Sequence, residues 1–91
     1  MNVISALKRT KQLVESSEST FWSHLTVEEI THQLQLAISA IEAGERADLE
    51  ELSLLYAPTG AIQDTSIDNG WGSEFLELAI VVDSYVGKAK Q

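Results

Sequence analysis

The side chains that could do chemistry are few and widely spaced. His24 and His32 are eight residues apart, and on one continuous helix they would stand about 80° apart around the axis. Thr26 has the type and position of a helix N-cap between them, so no shared helical face is expected. Neither a His-x-x-x-His pair nor a His-Glu-x-x-His motif occurs. Asp64, Asp68 and Asn69 are oxygen donors close together, but they lack the alternate spacing and closing glutamate of a calcium loop. Turn-forming hydrogen bonds account for them better. Glu28-Glu29 and Glu50-Glu51 are adjacent carboxylates. Neighbours on a helix point about 100° apart, so neither pair converges on a substrate as an acid and a base. Pro58-Thr59-Gly60-Ala61 and Asn69-Gly70-Trp71-Gly72 fit neither a phosphate loop nor a dinucleotide fingerprint. With no cysteine, the chain has no thiolate nucleophile, thiolate metal ligand or disulfide. No enzyme, metal site or cofactor is expected.

Recognition chemistry is the alternative. Trp71 lies between two glycines, near Asp64, Asp68 and Glu74. Its indole is either tucked inward or presented outward. Outward, it would be an aromatic anchor ringed by acids, a composition suited to a basic partner. Asp64, Asp68, Trp71 and Glu74 are therefore the candidate partner-binding residues, with Glu50 and Glu51 as rim charges. Charge points the same way. The 91 residues carry 14 acids against 6 bases, a formal net charge of −8. Lys8, Arg9 and Lys11 lie near one end and Lys88 and Lys90 near the other, and between them fall all the acids and only Arg46. Such a body repels nucleic acid and anionic membranes and attracts a basic protein. Its acidity also serves solubility.

Several elements must position these groups, and helical periodicity dominates. Val3, Leu7 and Val14, with Ile4 beside them, predict a helix over about Asn2 to Ser17, broken by the hydroxyl cluster at 16–20. Phe21 and Trp22 either anchor a loop to the core or form an exposed patch. Thr26 and Glu29 form a capping box, with Leu25 placed to staple against Ile30. Val27, Ile30, Leu34, Ile38 and Ile41 mark the buried face of that second helix, His32 lies on its polar face, and Gly44 stops it. Asp48 and Glu51 repeat the capping spacing ahead of a short helix carrying Leu49, Leu52, Leu55 and Tyr56.

The segment from Ala57 to Gly72 holds the only proline and three of the five glycines, and reads as a long connection. Thr59 could cap one short turn over Gly60 to Asp64, with Ile62 and Ile67 pinning the stretch to the core and Asp68-Asn69-Gly70 as a turn. No alternating pattern flanks that turn, so strands are rejected. The last helix is expected from about Ser73 to Gly87. Phe75, Leu78, Ala79, Val82 and Val86 form its inner stripe, and Leu76, Ile80 and Val81 widen it past the usual apolar arc. Either that helix is central, or one side is covered by a partner or by a second copy in a homodimer. The expected fold is all-α: one domain over 1–91, a compact bundle of about four helices with one long turn-rich connection before the last. No stretch reaches the ~20 apolar residues of a membrane span, and no signal-peptide order is present.

Phe21-Trp22-Ser23-His24-Leu25, the helix closing Ala40-Ile41-Glu42-Ala43-Gly44, the run Glu51 to Gly60 and the run Asp68 to Ala79 together resemble small bacterial proteins. Some of these are similar to immunity proteins encoded beside polymorphic or contact-dependent toxins. The resemblance spans roughly residues 21 to 83, and its most specific parts are Ala57-Pro58-Thr59-Gly60 and Asn69-Gly70-Trp71-Gly72. It transfers no functional residue. It implies a bacterial cytoplasmic inhibitor that binds a cognate toxin domain, and a basic nuclease is the toxin the acidic body would suit.

Overall fold

A computed structural model describes residues 1–17, 26–57 and 60–89. Among them every regular element is a helix: α1 (Val3–Glu15), α2 (Val27–Glu42), α3 (Leu49–Leu55), α4 (Ala61–Asp68) and α5 (Gly72–Ala89). The fold is all-α, as the periodicity predicts. The Cα radius of gyration, 12.0 Å, is that of a compact domain of this length. The pairing of Phe21 and Trp22, the Leu25 staple and the Thr59 cap fall outside the described residues.

Local chemistry sets the helix ends. Asn2 caps α1, its Oδ1 accepting from the Ser5 N–H at 2.8 Å. The Thr26–Glu29 capping box is present in both directions: Thr26 Oγ1 accepts from the Glu29 N–H at 3.1 Å, and Glu29 Oε1 accepts from the Thr26 N–H at 3.4 Å. Gly44 has φ +78° and ends α2 in a Schellman motif. The Glu45 N–H donates to the Ala40 carbonyl and the Gly44 N–H to that of Ile41. Asp48 Oδ1 accepts from the Glu51 N–H at 3.0 Å and starts α3.

The segment after α3 departs from the expected connection. It folds into a helix of eight residues, longer than the single turn read from sequence. Its N-cap is Gly60, which makes no side-chain capping bond. A Cβ on Gly60 would sit 2.6 Å from the Leu54 carbonyl oxygen, so glycine lets the chain double back against the end of α3. The turn signal Asp68-Asn69-Gly70 is the end of this helix. Gly70, at φ +82°, closes a second Schellman motif, with Trp71 N–H donating to the Ser66 carbonyl and Gly70 N–H to that of Ile67. The Trp71 carbonyl then accepts the first bond of α5, from the Phe75 N–H.

α4 also corrects the expectation that Ile62 and Ile67 both reach the core. Ile62 is fully buried, and Ile67 is 64% exposed. Five residues on a helix turn through about 500°, which leaves the two side chains some 140° apart. Ala61, Ile62, Thr65 and Ser66 form the buried face instead.

α1 and α5 organise the packing. α1 lies against α2 and α5, and α5 also contacts α3 and α4. Leu7, Val14, Ile30, Leu34, Ile38, Leu52, Leu55, Ile62, Phe75, Leu78 and Val82 fill the centre, almost wholly excluded from solvent. Two polar groups inside it are satisfied. The Tyr56 hydroxyl donates to Thr10 Oγ1 at 2.7 Å, and the Thr10 hydroxyl donates to the Ala6 carbonyl at 2.8 Å. Tyr56 also lies nearly parallel to Phe75, with ring centroids 6.1 Å apart. No helix among the described residues is long and apolar enough to cross a membrane.

Candidate functional site

The corner between α4 and α5 carries four of the six candidate residues. Asp64 is half-buried in the first turn of α4, and Asp68 is exposed in its last. Trp71 follows at the Schellman turn, half-buried and packed against the core. Its indole N–H donates to Ser17 Oγ at 3.0 Å, and the Ser17 hydroxyl donates in turn to the Leu13 carbonyl at 2.7 Å. The ring is thus tied by its polar edge to the end of α1.

Glu74 is engaged by Arg9. Nε donates to Oε2 at 2.6 Å and Nη2 to Oε1 at 3.1 Å, a two-pronged pair across 65 residues of sequence. The hydrogen bonds from Arg9 hold the Glu74 carboxyl below its ordinary value, and Glu74 raises the Arg9 guanidinium in return. Both side chains reach solvent, so this pair orients α1 on α5 more than it adds stability. Glu50 and Glu51 stand apart from the corner, on α3. Glu50 is exposed. Glu51, with Asp48, Gln33, Leu36, Ala37 and Leu52, lines a cleft of about 120 Å³ between α2 and α3.

The basic residues of α1 pair with acids, two of them on other helices and one on α1 itself. Besides the Arg9 pair, Lys8 Nζ lies 3.4 Å from Glu42 Oε2, and Lys11 Nζ lies 3.8 Å from Glu15 Oε1. Lys11 also donates to Gln35 Oε1 at 2.9 Å. Arg46 donates to the Ala89 carbonyl at 2.7 Å, at the end of α5. Among the described residues, the ion pairs are those three. They draw on Glu15, Glu42 and Glu74; among the described residues the exposed acids Glu50, Asp68, Glu77 and Asp83 form no ion pair.

The candidate contact residues read from sequence did not include an apolar component, although the excess apolar width of α5 pointed to one. Ile67, Leu76 and Ile80 are 64%, 58% and 67% exposed. The width of the apolar arc on α5 was the available signal for the last two. Of the extra residues in that arc, Val81 is half-buried against the core, whereas Leu76 and Ile80 point outward. His32 is exposed on α2, as its polar stripe predicts. Among the described residues, no group of three or more His, Asp or Glu side chains is placed to hold a metal ion. Comparisons with protein-family models, curated proteins and solved structures return no match for this chain.

Proposed function

We propose that this protein is a non-catalytic binding module of the immunity type, a cytoplasmic inhibitor that covers the basic active site of a cognate toxin, a nuclease, with an acidic helical surface. The observation that carries this reading is the internal pairing of cations. The bases of α1 are held by Glu42, Glu74 and Glu15, and among the described residues the exposed acids of α3, α4 and α5 enter no ion pair. A patch of one sign on a rigid helical frame steers a basic partner into contact and favours it over acidic competitors. In this reading Asp64, Asp68, Trp71 and Glu74 are the contact residues, with Glu50 and Glu51 as rim charges. The exposure of Leu76 and Ile80 favours a second reading, a homodimeric interaction protein built on α5.

The test is titration of the purified protein with the purified product of the neighbouring reading frame, where that product ends in a basic domain. The expected result is a one-to-one complex in which the toxin activity is lost. Its affinity should fall about tenfold or more as salt rises to several tenths molar. Charge reversal at Asp64 and Asp68 should slow association. A basic domain that stays unbound, or stays active when bound, rejects the reading.

A further inference from the structure

The outward face of α5 is open along most of its length. Gly72, Leu76 and Ile80 follow one another at four-residue intervals, so they lie on one side of the helix at a rise of about 6 Å per step. A Cβ placed on Gly72 would meet only Ile67 Cγ1, at 3.9 Å. The Ile67 side chain therefore reaches over the first turn of α5 and continues the row begun by Leu76 and Ile80. At the far end of the same face, a Cβ on Gly87 would meet nothing. Three large aliphatic side chains, each more than half exposed, thus form one line across two helices. Scattered exposed leucines are ordinary, but a contiguous row of them is the usual mark of a contact surface. The row is flanked by acids: Asp68 next to Ile67, and Glu77 and Asp83 three residues either side of Ile80, all exposed.

We infer that this row is the docking surface for a basic amphipathic helix of a partner protein, whose apolar side chains seat on Ile67, Leu76 and Ile80 while its lysines or arginines meet Asp68, Glu77 and Asp83. The inference rests on the binding role proposed above and names the surface and the chemistry of the partner. Charge decides against a second copy as the occupant. A pair of α5 helices packed on this row, parallel or antiparallel, would bring Glu77 and Asp83 of both copies into one interface. That gathers four acids around one aliphatic seam on chains of net charge −8 each. A basic helix satisfies the same acids and covers the same aliphatic row, which is the helix-in-groove mode of recognition.

Three synthetic helical peptides, added to isotopically labelled full chain, test this by methyl and amide NMR shifts. One carries leucines at i, i+3, i+4 and i+7 on a lysine background; one has alanine in place of leucine; one has glutamate in place of lysine. The leucine–lysine helix should shift the Ile67, Leu76 and Ile80 methyls selectively, the alanine–lysine helix should bind at least about tenfold more weakly, and the glutamate helix should not bind. The double variant Leu76→Gln and Ile80→Gln keeps every acid. It should lose about tenfold or more in affinity for the leucine–lysine helix without a change in its urea midpoint. Shifts spread over the acids of α2 and α3, or equal affinity in the double variant, overturn the inference. So does a concentration-dependent dimer in sedimentation that the double variant abolishes. A basic domain that binds wild type and double variant equally removes this surface and leaves the binding role standing. A basic domain that ignores the wild type removes the role itself.

Discussion

Removing the Thr10 hydroxyl should cost more than removing the Tyr56 hydroxyl, and removing both should cost less than removing Thr10's alone. The two groups are buried together, with Thr10 0% and Tyr56 2% exposed. Tyr56→Phe keeps the ring against Phe75 and leaves the Thr10 hydroxyl still donating to Ala6, so only one net hydrogen bond is lost, about 1 to 1.5 kcal/mol. Thr10→Val strands the phenolic O–H in the core with no partner, at about 2 to 3 kcal/mol. In the double variant neither polar group remains, so most of that desolvation cost disappears and the coupling energy comes to about 1.5 to 2 kcal/mol, more than Tyr56→Phe costs alone. Urea unfolding followed by circular dichroism resolves this, since with m near 1 kcal/mol/M each kcal/mol moves the midpoint by about 1 M. The reasoning is refuted if the double variant unfolds at or below the midpoint of Thr10→Val, because Tyr56 would then have found another partner.

The same tyrosine predicts an alkaline effect. Burial holds the Tyr56 phenol well above its ordinary range. Below about pH 10 both native and unfolded chains keep the proton; above it the unfolded chain releases its proton first, so stability falls with rising pH, and Tyr56→Phe should remove that part of the loss in urea midpoints measured across pH 8 to 11. Glu74 behaves in the opposite sense. Its carboxyl is held low by Arg9, so this contribution is present above the ordinary glutamate value and is lost as pH falls; a carboxyl NMR titration should place Glu74 below that ordinary value, and Arg9→Gln should raise it. The glycines separate by cause. Gly60→Ala forces a Cβ onto the Leu54 carbonyl and Gly70→Ala places a side chain at φ +82°, each lowering stability by about 1 to 2 kcal/mol. Gly87→Ala, with open space around it inside a helix, should raise the urea midpoint by up to about 1 kcal/mol of stability.

Helices whose signals are local were legible. Thr26 with Glu29, Asp48 with Glu51, and Gly44 all act within one turn of themselves, and each performs the role its type and spacing assign. α4 was harder because its signals point two ways. Asn69-Gly70 suits a hairpin, a loop turn or a helix end, and only the carbonyls of Ser66 and Ile67 decide among them. The helix also begins at a glycine chosen for close approach to Leu54, a contact with nothing local to announce it. In the candidate site, the acidic residue types were visible, but the Arg9–Glu74 pair and the Trp71–Ser17 bond join positions more than fifty residues apart. Such partners depend on how α1 lies against α5. The apolar row was half legible: Leu76 and Ile80 followed from the excess width of one helix, whereas Ile67 became visible only once its segment was known to be helical.

The clasp between α1 and α5 bears on synthesis. α1 leaves the ribosome among the first segments of this sequence, and α2 follows soon enough to shelter one of its sides. The side that meets α5 must wait until that helix has been translated. Nascent chains halted before Gly72 would therefore display that flank of α1 to chaperones, and closure of the bundle would coincide with the arrival of the same helix that carries Leu76 and Ile80.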